Sequence, residues 1–371
     1  MNPLEVDVEA IDGSARAGQV TTPHGTFRTP CFMPVGTRGA VRHLDATDLG
    51  RLGVEVVLAN TYHLLLRPGP EVVAKLGGLH GFSSWSGPML TDSGGFQIFS
   101  LEPRVDDDGA TFRSTYDGSS HRLTPERAVE VQEQLGADIQ MVLDVCPPLP
   151  SPPAVVRTAV ERTAAWAARA RATHRRADQS LFGIVQGGTD LALRRESAER
   201  TVALDFDGYG IGGLSVGEPV DEMLPALDAA ISVLPDNRVR YLMGVGDPVR
   251  LVESVARGVD LFDCVLPTRH ARHGTVLTGA GRINLKNARF ADSDGPLDPT
   301  CPCSVCATFP LGYLRHLLSV QEPTAGRLLT LHNLGWLLRL VADMGEAIRA
   351  KRFAAFRADV LTVWAGSDRA D

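Results

Sequence analysis

With 371 residues, 44% of them hydrophobic, the chain can bury a large core, as one big α/β domain with an insertion or as two ordinary domains. A formal net charge of -7 argues against a protein that coats nucleic acid nonspecifically, because counterion release needs clustered Lys and Arg. No charged leader is read at the start and no apolar run approaches the roughly 18 residues of a membrane span, so a cytoplasmic protein with no membrane partner is expected, and cysteine usage fits a reducing compartment.

Residues up to about Pro30 alternate apolar and polar, with turns at Asp12-Gly13 and Pro23-His24-Gly25, as in antiparallel strands that cover one end of a larger fold. Beyond them short apolar segments recur, each ending in polar or glycine-rich residues: Val54 to Ala59 before Asn60-Thr61, Pro88 to Thr91 before Asp92, Asp138 to Leu143 before Asp144, and Leu181 to Val185 before Gln186. The pattern returns at Tyr209 to Ile211 before Gly212-Gly213, Arg240 to Leu242 before Met243-Gly244, and Val259 to Phe262 before Asp263. Helical runs with start signals lie between: Thr124-Pro125-Glu126 opens one to Leu135 and Asp247-Pro248 opens one to Ala256, with Pro in the first turn, where its missing N–H is no loss. Strand, polar turn and helix in repetition predict a parallel α/β fold. Polar residues at every strand end favour a (β/α)8 TIM barrel, whose active site gathers from the loops after the strands. A doubly wound open sheet is the second choice, weakened because no glycine-rich phosphate-cradling motif follows the early strands. The expected organisation is one barrel over residues 1–371, with antiparallel strands over about 1–30 and a zinc-binding insertion over about 290–335.

From Cys264 to Ala291 there is no Asp or Glu, while Arg269, Arg272, Arg282, Lys286 and Arg289 fall there beside His270 and His273. A solvated loop would account for such a run, but its position straight after an acidic strand end suits an anionic partner. Next comes Cys301-Pro302-Cys303-Ser304-Val305-Cys306, with His332 further along in Leu331-His332-Asn333-Leu334. Three thiolates and an imidazole complete a zinc tetrahedron, and three cysteines so close together cannot all be paired with one another. With every position filled by protein there is no room for water or substrate. One structural Zn2+ per chain is expected, and catalysis must lie elsewhere.

Asp92 in Thr91-Asp92-Ser93-Gly94-Gly95-Phe96-Gln97 and Asp263 in Leu261-Phe262-Asp263-Cys264-Val265-Leu266-Pro267-Thr268-Arg269 stand at strand ends. Either alone could be a structural cap; together they are the equipment for cutting a glycosidic bond, one attacking the anomeric carbon and the other moving the proton. Asp144, Gln186 in Ile184-Val185-Gln186-Gly187-Gly188, and Gly212-Gly213-Leu214-Ser215-Val216-Gly217-Glu218 form a third set. A carboxylate accepts from ring and exocyclic N–H groups, an amide donates to a carbonyl, and glycines let backbone amides approach closely. Guanine has the matching edge.

At these residues the sequence resembles the tRNA-guanine transglycosylase family. Its motifs Thr-Asp-Ser-Gly-Gly-Phe-Gln, Val-Gln-Gly, Gly-Gly-Leu-Ser-Val-Gly-Glu, Leu-Met-Gly-Val-Gly, Asp-Cys-Val-Leu-Pro-Thr-Arg and Cys-x-Cys-x-x-Cys with a distant His occur here in that order, from about Phe32 to the C-terminal helix. The resemblance implies an irregular barrel with a zinc subdomain, a pentosyltransferase of queuosine biosynthesis acting on the wobble guanine of tRNAs with a GUN anticodon. It implies Asp263 as the nucleophile of a covalent ribosyl ester and Asp92 as general acid/base, with Asp144, Gln186 and the Gly213 amide on the base edge. Phe96 and Met243 would sandwich the ring, and Arg269 and Arg272 correspond to anticodon-loop contacts. Val216 and Cys146 are similar to bacterial members, whose incoming base is 7-aminomethyl-7-deazaguanine; the Leu214 carbonyl would accept from its ammonium and Glu218 would orient that peptide. Val145 departs from the family, where many bacterial relatives have Glu. Exchange of the queuine or archaeosine type, and a noncatalytic subunit with the same barrel, are the alternatives, the last opposed by the presence of both Asp92 and Asp263. The resemblance also implies a homodimer, with Phe309, Tyr313 and His316 facing Phe82 of the other chain.

Overall fold

The computed structural model describes residues 3–366. The alternating N-terminal residues form an antiparallel sheet of β1 (Glu5–Asp12), β2 (Ala15–Thr22) and β3 (Gly25–Thr29), turning where Asp12-Gly13 and Pro23-His24-Gly25 predict. The barrel follows as β4 (Cys31–Gly36), β5 (Val57–Ala59) and β6 (Met89–Thr91). A three-stranded meander of β7 (Arg104–Asp106), β8 (Gly109–Arg113) and β9 (Ser120–Leu123) interrupts it. It resumes with β10 (Ile139–Met141), β11 (Ser180–Val185), β12 (Gly208–Ile211), β13 (Val239–Leu242) and β14 (Leu261–Cys264). These eight strands pair in parallel in chain order, and β14 closes on β4. Residues of β5, β6, β10, β11, β12 and β13 are buried without exception, as expected of parallel strands covered on both faces, and this explains why they read as unbroken apolar runs.

Helices return the chain between strands. Thr124 caps the helix Pro125–Leu135 by accepting from the Arg127 N–H, and Asp247 caps Pro248–Val255 by accepting from Val249 and Arg250, as their start signals predict. The N-terminal sheet covers the barrel end from which the strands begin. His24 reaches Asp138, directly before β10, through its backbone N–H at 3.2 Å and its Nδ1 at 2.7 Å, and buried Arg16 pairs with Asp260, directly before β14. The opposite end, where the strands finish, is left to the loops.

After β14 comes the helix Leu266–His273, then the hairpin of β15 (Thr275–Thr278) and β16 (Gly281–Asn284) and the cysteine segment. An apolar cluster separate from the barrel core, with Val276, Leu285, Val305, Leu314 and Leu329, holds this substructure together. The helix Pro323–Arg349 belongs to both cores: Ala325, Leu328 and Leu329 enter the small cluster, while Leu337, Val341 and Met344 enter the barrel's. Among the described residues no helix is long and apolar enough to cross a membrane.

Candidate active site

Asp92 leaves β6 and is gripped at once. Its Oδ1 accepts from the backbone N–H of Thr61 at 2.8 Å and of Gly94 at 3.1 Å; its Oδ2 accepts from Asn60 Nδ2 at 2.6 Å and Gln97 Nε2 at 3.1 Å. Gly94 has φ +81°, and a Cβ there would stand 3.0 Å from the Tyr62 nitrogen, so the turn that aims its N–H at the carboxylate needs glycine. Burial pushes the Asp92 carboxyl up to about 6 against the bonds from Asn60, Thr61 and Gln97, and the charge of Asp263 adds to the rise.

Asp263, inside β14, accepts at Oδ1 alone, from the Tyr241 hydroxyl at 2.6 Å and the Gly244 N–H at 2.8 Å. Among the described residues Oδ2 receives no hydrogen bond, so the carboxylate is oriented by one oxygen and presents the other. Burial pushes this carboxyl up as well, opposed by its two donors. Burial and the Asp263 charge hold the Tyr241 phenol well above its ordinary range, so it remains an O–H donor at neutral pH.

Asp144, 6% exposed, accepts from Gln186 Nε2 at 2.6 Å. Its carboxyl is pushed up to about 6 by burial, against the Gln186 bond, and the charge of Asp92 contributes to the rise. Asp263 acts on Asp92 and Asp92 on Asp144, so the three carboxylates that stood at separate strand ends in the sequence share one electrostatic site. Gln186 Oε1 is buried with no donor among the described residues. Gly213, at φ +62°, lies flat on that amide: a Cβ there would come 2.3 Å from Gln186 Oε1. The Cys146 thiol lies beside both Gln186 and the Gly213 N–H.

Beyond Gly213 the loop is fixed by Glu218, whose carboxylate accepts from the Ser215 N–H and, at 3.0 Å, from the Val216 N–H. In a planar trans peptide the C=O and N–H point in opposite directions, so drawing the Ser215 N–H toward Glu218 turns the Leu214 carbonyl the other way. Arg250 braces the same turn, donating to Ser215 Oγ at 2.6 Å and to the Glu218 carbonyl at 3.2 Å. Phe96, 62% exposed, stands at the start of the helix Gly95–Phe99, and Met243 is half-buried directly after β13. The assembled site can accept from N–H groups at Asp144, donate at Gln186 and Gly213, and offer one oriented carboxylate oxygen beside a second acid that titrates near neutrality.

Outside this centre, Arg269 is exposed and Arg272 half-buried, donating to the Thr268 carbonyl at 2.9 Å. Burial holds the Arg272 guanidinium below its ordinary range, with the charges of Arg42 and Arg269 adding to that, so three arginines gather there. Arg282 of the same basic stretch is ion-paired to Asp247. In the cysteine segment, Sγ of Cys306, Cys303 and Cys301 lies 3.3, 3.5 and 3.8 Å from His332 Nδ1. A tetrahedral ion with bonds of about 2.3 Å to sulfur and about 2.0 Å to nitrogen has N···S edges of about 3.6 Å, so the donor set fits a metal ion. His332 Nε2 lies 2.8 Å from the Leu277 carbonyl, which fixes the ring with Nδ1 free to ligate, and Arg339 donates to Cys301 Sγ at 2.8 Å.

Several members escaped the sequence reading. Asn60 and Thr61 carry a visible signal, following β5 directly. Tyr241 reads as one more apolar strand residue, because nothing local says that its hydroxyl meets a carboxylate. Arg194, described below, lies on the buried stripe of its helix with Leu193, Ser197, Ala198 and Thr201, a spacing that could have marked it.

A family model described as Queuine tRNA-ribosyltransferase matches residues 12–365 of the chain. Similar proteins carrying that same name include one from Herpetosiphon aurantiacus, 52% identical over 98% of this chain and 93% of its own length. Another from Thermus thermophilus is 52% identical over 96% of this chain and 93% of its own. A third, from Desulforamulus reducens, is 47% identical over 98% and 99%.

Proposed function

Because the chain belongs to the queuine tRNA-ribosyltransferase family, we propose that it is a tRNA-guanine transglycosylase, a pentosyltransferase that exchanges the wobble guanine of GUN-anticodon tRNAs for 7-aminomethyl-7-deazaguanine in queuosine biosynthesis. The observation that carries this reading is the asymmetry of Asp263, with Oδ1 held by two donors and Oδ2 unengaged, next to an Asp92 pushed up to about 6.

The residues act in order. Asp263 Oδ2 attacks C1′ of the guanosine, and the C1′–N9 bond breaks as a ribosyl ester forms. The leaving guanine takes a proton from Asp92, while Gln186 and the Gly213 N–H stabilise the negative charge that develops on its carbonyl oxygen. The incoming base then loses its N9 proton to Asp92 and attacks C1′, and the Asp263 carboxylate departs. Protons balance across the cycle, and two inversions keep the β configuration. Asp144 accepts from the N–H groups of either base, Phe96 and Met243 cover the ring faces, and the Leu214 carbonyl accepts from the aminomethyl ammonium of the incoming base. Arg269 and Arg272 contact the anticodon loop, joined by Arg42. Cys301, Cys303, Cys306 and His332 hold a structural Zn2+, whose part is to bind the substructure together. The functional unit is a homodimer.

Asp263→Asn tests the reading. The wild type is expected to incorporate labelled guanine into unmodified tRNA and to leave a denaturation-resistant RNA adduct; the variant is expected to do neither while still binding tRNA. An adduct trapped with the variant would remove Asp263 as nucleophile.

A further inference from the structure

Arg194 has no part in the reading so far, yet it is 0% exposed. It lies on the helix Leu191–Val202, brought close to the β11 turn because Gly187, at φ +138°, carries no Cβ; one there would stand 2.7 Å from the Arg194 nitrogen. Its guanidinium spends its hydrogen bonds on backbone carbonyls: Nε on Gly188 at 2.7 Å, Nη1 on Val185 at 3.1 Å and Gly212 at 2.6 Å, and Nη2 on Gly213 at 2.9 Å. Among the described residues no carboxylate contacts it; Glu218 acts on it only through space. Burial lowers its pKa to about 10, so it stays cationic at neutral pH. Burying a cation without a contacting counter-ion is costly, and an apolar side chain would fill the same volume without that cost. The charge therefore has a use.

That use follows from peptide geometry. The Gly212 carbonyl and the Gly213 N–H belong to one planar peptide and point in opposite directions. By drawing the Gly212 carbonyl toward the barrel wall, Arg194 turns the Gly213 N–H to the side where the Cys146 thiol and Gln186 lie. Glu218 performs the complementary operation one step along, drawing the Ser215 N–H away so that the Leu214 carbonyl projects. A buried cation and a buried anion thus set two peptide planes of the same loop, one to present a donor and the other an acceptor.

We propose that Arg194 is a positioning residue that sets the requirement for a carbonyl oxygen on the six-position of the exchanged base, by fixing the Gly213 N–H toward it. This rests on the base-exchange reading of the site. The test compares wild type with Arg194→Met and Arg194→Lys, measuring the KM for labelled guanine and the inhibition constants of 6-thioguanine, whose sulfur is a poor acceptor, and of hypoxanthine, which keeps the carbonyl but lacks the amino group facing Asp144. In the variants the preference for guanine over 6-thioguanine is expected to fall on the order of tenfold, the loss of one well-placed hydrogen bond, while the preference over hypoxanthine stays unchanged. Arg194→Lys keeps the buried charge but cannot span four carbonyls, and it carries the test if Arg194→Met does not fold. If both preferences fall together the effect is a general loosening, and if neither falls Arg194 does not aim the donor; either result overturns the proposal. A wild type that binds tRNA but incorporates no guanine would overturn the base-exchange reading, and this inference with it.

Discussion

Asp144 shows what burying a carboxylate in the pocket costs the fold. Its carboxyl, ordinarily near 3.8, is pushed up to about 6 chiefly by burial. The folded protein therefore holds a proton that the unfolded chain has released between these values, and stability falls as pH rises from about 4 to about 6, then levels off. The difference corresponds to a cost on the order of 3 kcal/mol at neutral pH. Asp144→Asn removes the charge and keeps an acceptor for Gln186, so its melting temperature is expected to exceed that of the wild type at pH 7 and to match it near pH 4. The variant should also bind guanine poorly, because its amide can set an N–H against the base's own donors, and in the wild type the KM for guanine should rise as pH drops below about 6. Thermal unfolding at the two pH values checks the first statement; an equal gain at both would show that burial of the charge is not the cause. Val145, the neighbour of Asp144, is 9% exposed and packs in a cluster with Ile98, Phe112 and Trp166, so its effect falls on packing behind the strand end and not on the polar edge that carries Asp144 and Gln186.

Among the elements, the helix Pro323–Arg349 does most to couple parts, since it carries His332 between the small cluster and the barrel core. Cys303 caps the helix Ser304–Thr308, accepting from the Cys306 N–H at 3.5 Å, and in the proposed zinc site it would serve that region a second time, as a ligand. Cys303→Ser keeps a capping oxygen but replaces a thiolate with a poor zinc ligand. It should lose metal and raise amide hydrogen exchange across β15, β16 and the cysteine segment, leaving the barrel strands protected; full metal retention would refute the four-ligand site. The same elements show what local sequence can and cannot express. Barrel strands from β5 onward were legible because each is a short buried run that reaches Asp, Asn, Gln or Gly within a few residues of its end, and the three carboxylates of the candidate site were legible because they stand there. β4 was hidden because only Pro30 separates it from β3, so it reads as part of the N-terminal strands. Tyr241 and Arg194 were hidden for another reason: the carboxylate that meets the Tyr241 hydroxyl and the Gly212 and Gly213 carbonyls that meet Arg194 belong to the neighbouring strand's end, which only the fold brings close.

At the scale of the whole molecule, the stacked pair Phe309 and Tyr313, with ring centres 5.6 Å apart, lies on the surface of the cysteine substructure. Tyr313 is 43% exposed, Val320 at the end of the same helix is 58% exposed, and His316 is exposed between them. Large apolar groups on a helix already anchored beneath by Leu311, Leu314 and Leu317 add nothing to the fold by facing water, but they suit the centre of an isologous interface, where aromatic anchors dominate binding. Phe82 is half-buried against the loop at Gly39, where a Cβ would stand 3.2 Å from its ring, so its ring is already held in place for the proposed interface. A tRNA outspans one barrel mouth, and a second subunit would extend the surface beyond Arg42, Arg269 and Arg272. Wild type is therefore expected to sediment as a dimer at micromolar concentration. Tyr313→Ala removes an anchor of a kind worth about 2 kcal/mol or more from each of the two subunits, enough to raise the dimer dissociation constant by a factor on the order of several hundred and populate monomer. Because Tyr313 is exposed, the variant should keep the melting temperature of the dissociated wild-type chain and its pocket should still bind guanine, while exchange into tRNA falls in proportion to the dimer lost. A wild-type monomer exchanging guanine at full rate would exclude the dimer as the working unit and leave the aromatic pair without a functional assignment.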